Sequence, residues 1–234
     1  MSSTIPQALW SAQIPLHITH PASPTTPFIT SIPRFSYLAL LIPRLSTFFN
    51  SPCSSFHFED VQLRNLAVGL LVDLYQPGLP WRLTVNDGVG WDIADTFLNC
   101  VKEADFIRNV IDNDQTSFNR INSRLLNAPT ALKHVPIRIY VPTSGPDSSA
   151  THPEHATFKV IQSLMAVTSS DRRPKLLGQA LKEVLPGLFL SSRDPILAKV
   201  VMHGAGVPFN APLEELMREA AYPDGWLCLV VVVL

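Results

Sequence analysis

The strongest constraint on the fold is an order of elements that occurs twice. Both halves of the chain close in a turn, a tryptophan and an apolar strand, "GLPWRLTV" at 78–85 and "PDGWLCLVV" at 223–231. In the second half, "VPIRIYV" (135–141) sets Val135, Ile137, Ile139 and Val141 on one face at a period of two, a strand with one buried side. "TFKVIQSLMAV" (157–167) is its partner across the polar, turn-rich loop "PTSGPDSSATHPEH". "PKLLGQALKEVLPG" repeats Leu177, Leu181 and Leu185 at helical spacing until Pro186 and Gly187 stop it. "KVVMHG" then predicts a strand, "PLEELMREA" a short helix with proline near its start, and "YPDG" a turn into the final strand.

The first half shows the same order. "IPLHI" and "FITSI" read as strands, "RFSYLALLIPRLSTFF" as a helical stretch interrupted by Pro43, "FHFED" as a strand, "NLAVGLLVDL" as a helix and "PWRLTV" as the last strand. Strand, strand, helix, strand, helix, strand is the β-grasp order of ubiquitin-like folds, so the expected class is α+β. The two halves do not align residue by residue, and the repeat is one of architecture. Between them, "WDIADTFLNCVKEADFIRNVID" carries Ile93, Phe97 and Val101 at helical spacing, with Asp92 as N-cap, and "SFNRINSRLLN" predicts a second helix. The expected organisation is an N-terminal helix with a first ubiquitin-like domain at 1–87, a short helix-rich domain at 88–132 and a second ubiquitin-like domain at 133–234.

Composition narrows the function classes. Hydrophobic residues make up 46% and charged residues 16%, which predicts a folded protein with apolar docking surfaces. Eighteen basic residues against 19 acidic ones, with no basic run, make nucleic acid a poor partner. Cys53, Cys100 and Cys228 are odd in number and widely spaced, as for reduced thiols. "MSSTIPQALW" has no basic-then-apolar signal pattern, and the nine apolar residues of "WLCLVVVVL" are about half of the ~20 that a spanning helix needs, so a soluble cytoplasmic protein is expected.

Chemistry-bearing motifs are scarce. "HITH" (His17, His20) falls on a strand, where positions three apart face opposite sides, and "HPEH" (His152, His155) sits in a loop without a third ligand, so no metal and no cofactor are expected. "HGAG" (203–206) could build an oxyanion hole, but no G-x-S-x-G supplies a nucleophile, and it is expected to be a turn between strand and helix. With "VVVVL" in place of a terminal glycine, the chain is not expected to be the donor in ubiquitin-like conjugation. An acceptor needs only a reachable lysine, and spacing alone does not choose among them: Lys102 and Lys182 both precede a glutamate.

Taken together, "IPRFSYLALLIPRL", "VGLLVDLY", "LPWRLTV", "CVKEADFIRN", "FNRINSRLLN", "VPIRIY", "LKEVLPG", "VMHG" and "PLEELMREAAYPDGWL" resemble the autophagy protein 5 family over nearly the whole chain. The resemblance implies two ubiquitin-like domains flanking a helix-rich domain. It also implies that Lys102, in the K-E-A-D segment, accepts the C-terminal glycine of the ubiquitin-like autophagy protein 12 by isopeptide bond. The implied partners are autophagy protein 12, the coiled-coil autophagy protein 16 and the conjugating enzyme for autophagy protein 8. The implied role is ligase-like promotion of autophagy protein 8 transfer to phosphatidylethanolamine, with peripheral membrane association at the phagophore assembly site. Glu103 and Asp105 are expected as ion pairs or docking contacts beside Lys102, and Trp10 and Trp81 as partner-binding residues. The sequence departs from the family in a shorter central helical region. Two other readings stand beside this one: a non-covalent module that binds a partner helix, and a hydrolase built around "HGAG".

Overall fold

The computed structural model describes residues 4–87, 116, 120, 131–143, 158–222 and 224–234. They fall into two compact units, each with its own sheet and its own apolar core.

In the first unit, β1 (Gln13–His20) and β2 (Ser23–Pro33) form an antiparallel hairpin, followed by a 3-10 turn (Leu38–Leu41), α2 (Ile42–Phe49), β3 (Ser55–Phe58), β4 (Val61–Gln62), α3 (Val68–Tyr75) and β5 (Trp81–Asn86). The sheet order is β2-β1-β5-β3-β4, and β5 runs parallel to β1. Pro43 does not interrupt a helix. It stands in the first turn of α2, where its missing N–H leaves nothing unsatisfied. Leu16 and Ile18 from β1, Trp81, Leu83 and Val85 from β5, and Val68 and Leu71 from α3 close the core.

The second unit repeats this plan. β6 (His134–Pro142) and β7 (Phe158–Ala166) are antiparallel, α4 (Leu177–Val184) follows, and β8 (Ala198–Met202), the short β9 (Ala205–Gly206), α5 (Leu213–Ala220) and β10 (Leu227–Val233) complete it. Its order, β7-β6-β10-β8-β9, matches the first sheet strand for strand, again with the last strand parallel to the first. Both sheets are therefore mixed, and the α+β ubiquitin-like class holds. The helix α1 (Ile5–Ser11) counts with this unit as far as Leu9, which packs on its core.

The two main helices begin alike. Each has a glycine at its second position, Gly69 in α3 and Gly178 in α4, and each glycine N–H is bonded to a distant carbonyl, Arg34 O at 2.8 Å and Phe209 O at 2.9 Å. A Cβ on Gly69 would lie 2.3 Å from Arg34 Cγ, and one on Gly178 would lie 2.1 Å from Ser192 O. Only glycine lets these helix ends approach so closely.

Candidate functional site

Lys102, Glu103 and Asp105, together with His152 and His155 and, apart from Arg120, the segments predicted as connector helices, lie outside the described residues. Trp10 and Trp81 lie within them and are buried, at 7% and 0% exposure. Trp81 stacks edge-on against Phe58, and its Nε1–H has no hydrogen-bond partner among the described residues. Trp81 belongs to the core of the first unit, whereas Trp10 is buried outside both core clusters.

Register explains why the two strand-leading tryptophans differ. Trp81 pairs with Leu16 and Leu83 with Ile18, whereas in the second sheet it is Leu227 that pairs with Ile137 and Leu229 with Ile139. Trp226 thus stands one position ahead of the residue equivalent to Trp81. One residue in a strand exchanges the faces of the sheet. Trp226 consequently sits half-buried outside the core, where Arg138 stacks on its ring at 4.4 Å and donates from Nη1 to Asp224 Oδ2 at 3.1 Å. Asp224 Oδ1 accepts the Trp226 N–H at 3.1 Å. Burial pushes the Asp224 carboxyl above the usual carboxylate range, against the opposing pull of Arg138. Burial also raises the neighbouring Tyr140 phenol, with Arg138 again opposing. Arg138, Tyr140, Asp224 and Trp226 form a polar and aromatic cluster, which sequence patterns missed because Arg138 and Asp224 lie 86 residues apart.

A second long-range pair anchors the first unit. Arg34 Nη2 donates to Gly69 O at 2.9 Å and to the carboxylate of Asp73, with Arg34 6% and Asp73 2% exposed. The Arg34 side chain, from Cγ to Nε, lies where a Gly69 side chain would be. Charge, helix start and core are fixed together here.

Catalytic geometry finds little support among the described residues. "HGAG" is a hairpin turn between β8 and β9, not a turn into a helix as the sequence reading expected. His203 and Gly204 both take positive φ, 52° and 81°, as a two-residue hairpin of this twist requires. The His203 ring is held by stacking on Tyr222 at 4.6 Å and by a 2.8 Å hydrogen bond to Ala220 O. Ser55 Oγ and His57 Nε2 are 3.2 Å apart, but Ser55 is fully buried and no substrate reaches it. His20 lies against Phe49 and accepts the Ala22 N–H through Nδ1, apart from any other metal-binding side chain in that contact.

Family models match both units: "Autophagy protein ATG5, UblA domain" over residues 9–87 and "Autophagy protein ATG5, UblB domain" over residues 134–231. Autophagy-related protein 5 of Gibberella zeae is 87% identical, with the whole of each chain covered. The chain belongs to the autophagy protein 5 family. Autophagy-related protein 5 of Beauveria bassiana is 63% identical, again over both whole chains, and autophagy protein 5 of Aspergillus fumigatus is 36% identical over 98% of this chain and 95% of its own. The Gibberella zeae alignment runs to 254 positions against 234 residues here, so that relative carries residues this chain lacks. The crystal structure of Kluyveromyces marxianus Atg5 superposes with a TM-score of 0.70, covering 97% of this chain and 99% of its own at 15% identity, and it shares the fold. Family membership gives the chain a role in autophagy.

Proposed function

We propose that this protein is the acceptor scaffold of an autophagy conjugation system, and that Lys102 is its acceptor. Membership of the autophagy protein 5 family over both ubiquitin-like units carries the reading. In the proposed step the Lys102 amine attacks the thioester that joins the C-terminal glycine of autophagy protein 12 to its conjugating enzyme. A C–N bond forms, the C–S bond breaks, the enzyme's thiolate leaves and the amine gives up its proton. An ordinary lysine has a pKa of about 10.4, so the docked enzyme has to take that proton or desolvate the amine. Lys102 acts as a positioned nucleophile, and Glu103 and Asp105 act as docking contacts or ion pairs on the same segment.

Autophagy protein 16 then joins the conjugate, which works with the conjugating enzyme for autophagy protein 8 in a ligase-like manner. Its product is autophagy protein 8 on phosphatidylethanolamine, and its place is the cytoplasm and the membrane of the phagophore assembly site, reached through the complex. Trp10 and Trp81 act from within, by shaping the surfaces a partner meets.

Co-expression with autophagy protein 12 and its activating and conjugating enzymes tests the reading on a denaturing gel, with Lys102→Arg alongside and a working conjugation system as positive control. A heavier, thiol-resistant band in wild type that is lost in Lys102→Arg is expected. Absence of that band from wild type would reduce the chain to a non-covalent module, and a band that persists in the variant would move the acceptor to another lysine.

A further inference from the structure

The two sheets end in equivalent edge strands with different protection. β2 closes the first sheet and carries Pro24, Pro27 and Pro33, each of which removes a backbone donor. β7 closes the second sheet and has no proline in its nine residues. It pairs with β6 in unbroken register from His134↔Ala166 to Pro142↔Phe158, and no described strand lies on its other side. Such an edge turns an N–H and a C=O outward at every second residue. Opposite the face that buries Met165, β7 presents Val160 at 38% and Leu164 at 64% exposure, with exposed Gln162 between them.

Charge selects the occupant. Lys159 stands exposed at the start of the strand. Beyond its end, Arg172 and Arg173 are exposed in the following turn, and Lys133 is exposed beside it, its carbonyl accepting the Val167 N–H at 3.2 Å. The carboxylates at this end are Asp171, 3.5 Å from Arg173, and Glu183, ion-paired with Lys175, whose N–H donates to Val167 O, so the basic groups remain in excess. A second copy pairing antiparallel through β7 would bring Lys159 against the arginine end of its partner, and like charges directly opposed are destabilising. We propose that the β7 edge takes up an extended segment of another protein as a sixth strand, one with apolar residues at alternate positions against Val160 and Leu164 and carboxylates at its ends. The site is independent of Lys102 chemistry.

The probe is a blocked synthetic peptide, Asp-Glu-Val-Thr-Val-Thr-Val-Glu-Asp, titrated into the isotopically labelled full chain and followed by backbone amide shifts. Shifts concentrated on residues 158–166 with β2 silent are expected, and the affinity falls as salt rises. A peptide with its central valine replaced by proline, and one with lysine at every acidic position, are expected to bind at least tenfold more weakly. Leu164→Asp and the pair Lys159→Glu with Arg172→Glu produce losses of similar size, while Ile29→Asp on β2 leaves binding unchanged. All these positions are exposed, and thermal unfolding of each variant confirms the fold. Should a β7 variant fail to fold, the proline and lysine peptides on wild type still decide. No binding at millimolar peptide, shifts confined to other strands, equal binding of the proline or lysine peptide, or concentration-dependent dimerisation through β7 would each overturn the proposal.

Discussion

At the scale of single residues, Arg34 and Asp73 matter most to the first unit. Desolvating two charges offsets most of what their attraction contributes, but removing one partner strands the other. Asp73→Ala is therefore expected to cost about 3–5 kcal/mol in urea unfolding, since it takes the neutralising carboxylate away from a buried guanidinium. Tyr75 gives the second residue-scale prediction. Burial pushes its phenol up to about 12, with Arg64 opposing. In the unfolded chain a tyrosine titrates near ~10. Between those values the unfolded state has lost a proton that the native state keeps, so stability falls as pH rises through this window. Tyr75→Phe is expected to flatten that alkaline loss, read as unfolding midpoint against pH. Neither residue was singled out from the sequence: Arg34 and Tyr75 were seen only as parts of segments, because nothing local tells a buried guanidinium from a solvated one.

The elements were more legible. Period-two strands at β6 and the leucine spacing of α4 follow from local alternation, and both formed as the residues predict. Truncating Leu181, buried in α4 on the second core, is expected to cost about 2–5 kcal/mol. Gly178→Ala adds a different test of the same helix. Its new Cβ meets Ser192 O, a backbone atom that no rotamer can move, so a loss of stability is expected where an exposed helical glycine would gain from alanine. Thermal denaturation of Gly178→Ala beside Gly187→Ala, which lies in the turn after α4 where a Cβ meets nothing within 4 Å and is expected to leave stability nearly unchanged, isolates the steric cost. The short β9 was not legible. Two residues carry no periodicity, and the positive φ at His203 that creates the hairpin has no marker in an L-residue of ordinary type.

On the scale of the whole molecule, a net charge of −1 leaves little repulsion between copies near neutral pH, while Ile29, Phe48, Leu79 and Ile196, all away from β7, are each at least 46% exposed. Light scattering of the isolated chain is expected to rise toward neutrality and to fall at about pH 9, where added negative charge keeps copies apart. By itself the sequence determined the order of the longer strands and helices of both units, the apolar faces of β6 and α4, and membership of the autophagy protein 5 family, because all three are written in local spacing and residue identity. Only the tertiary structure decided which tryptophan is core and which is surface, that Arg34 reaches Asp73, and that Arg138 stacks on Trp226. Each depends on strand register or on a contact between distant segments, and packing of the complete sheet sets both.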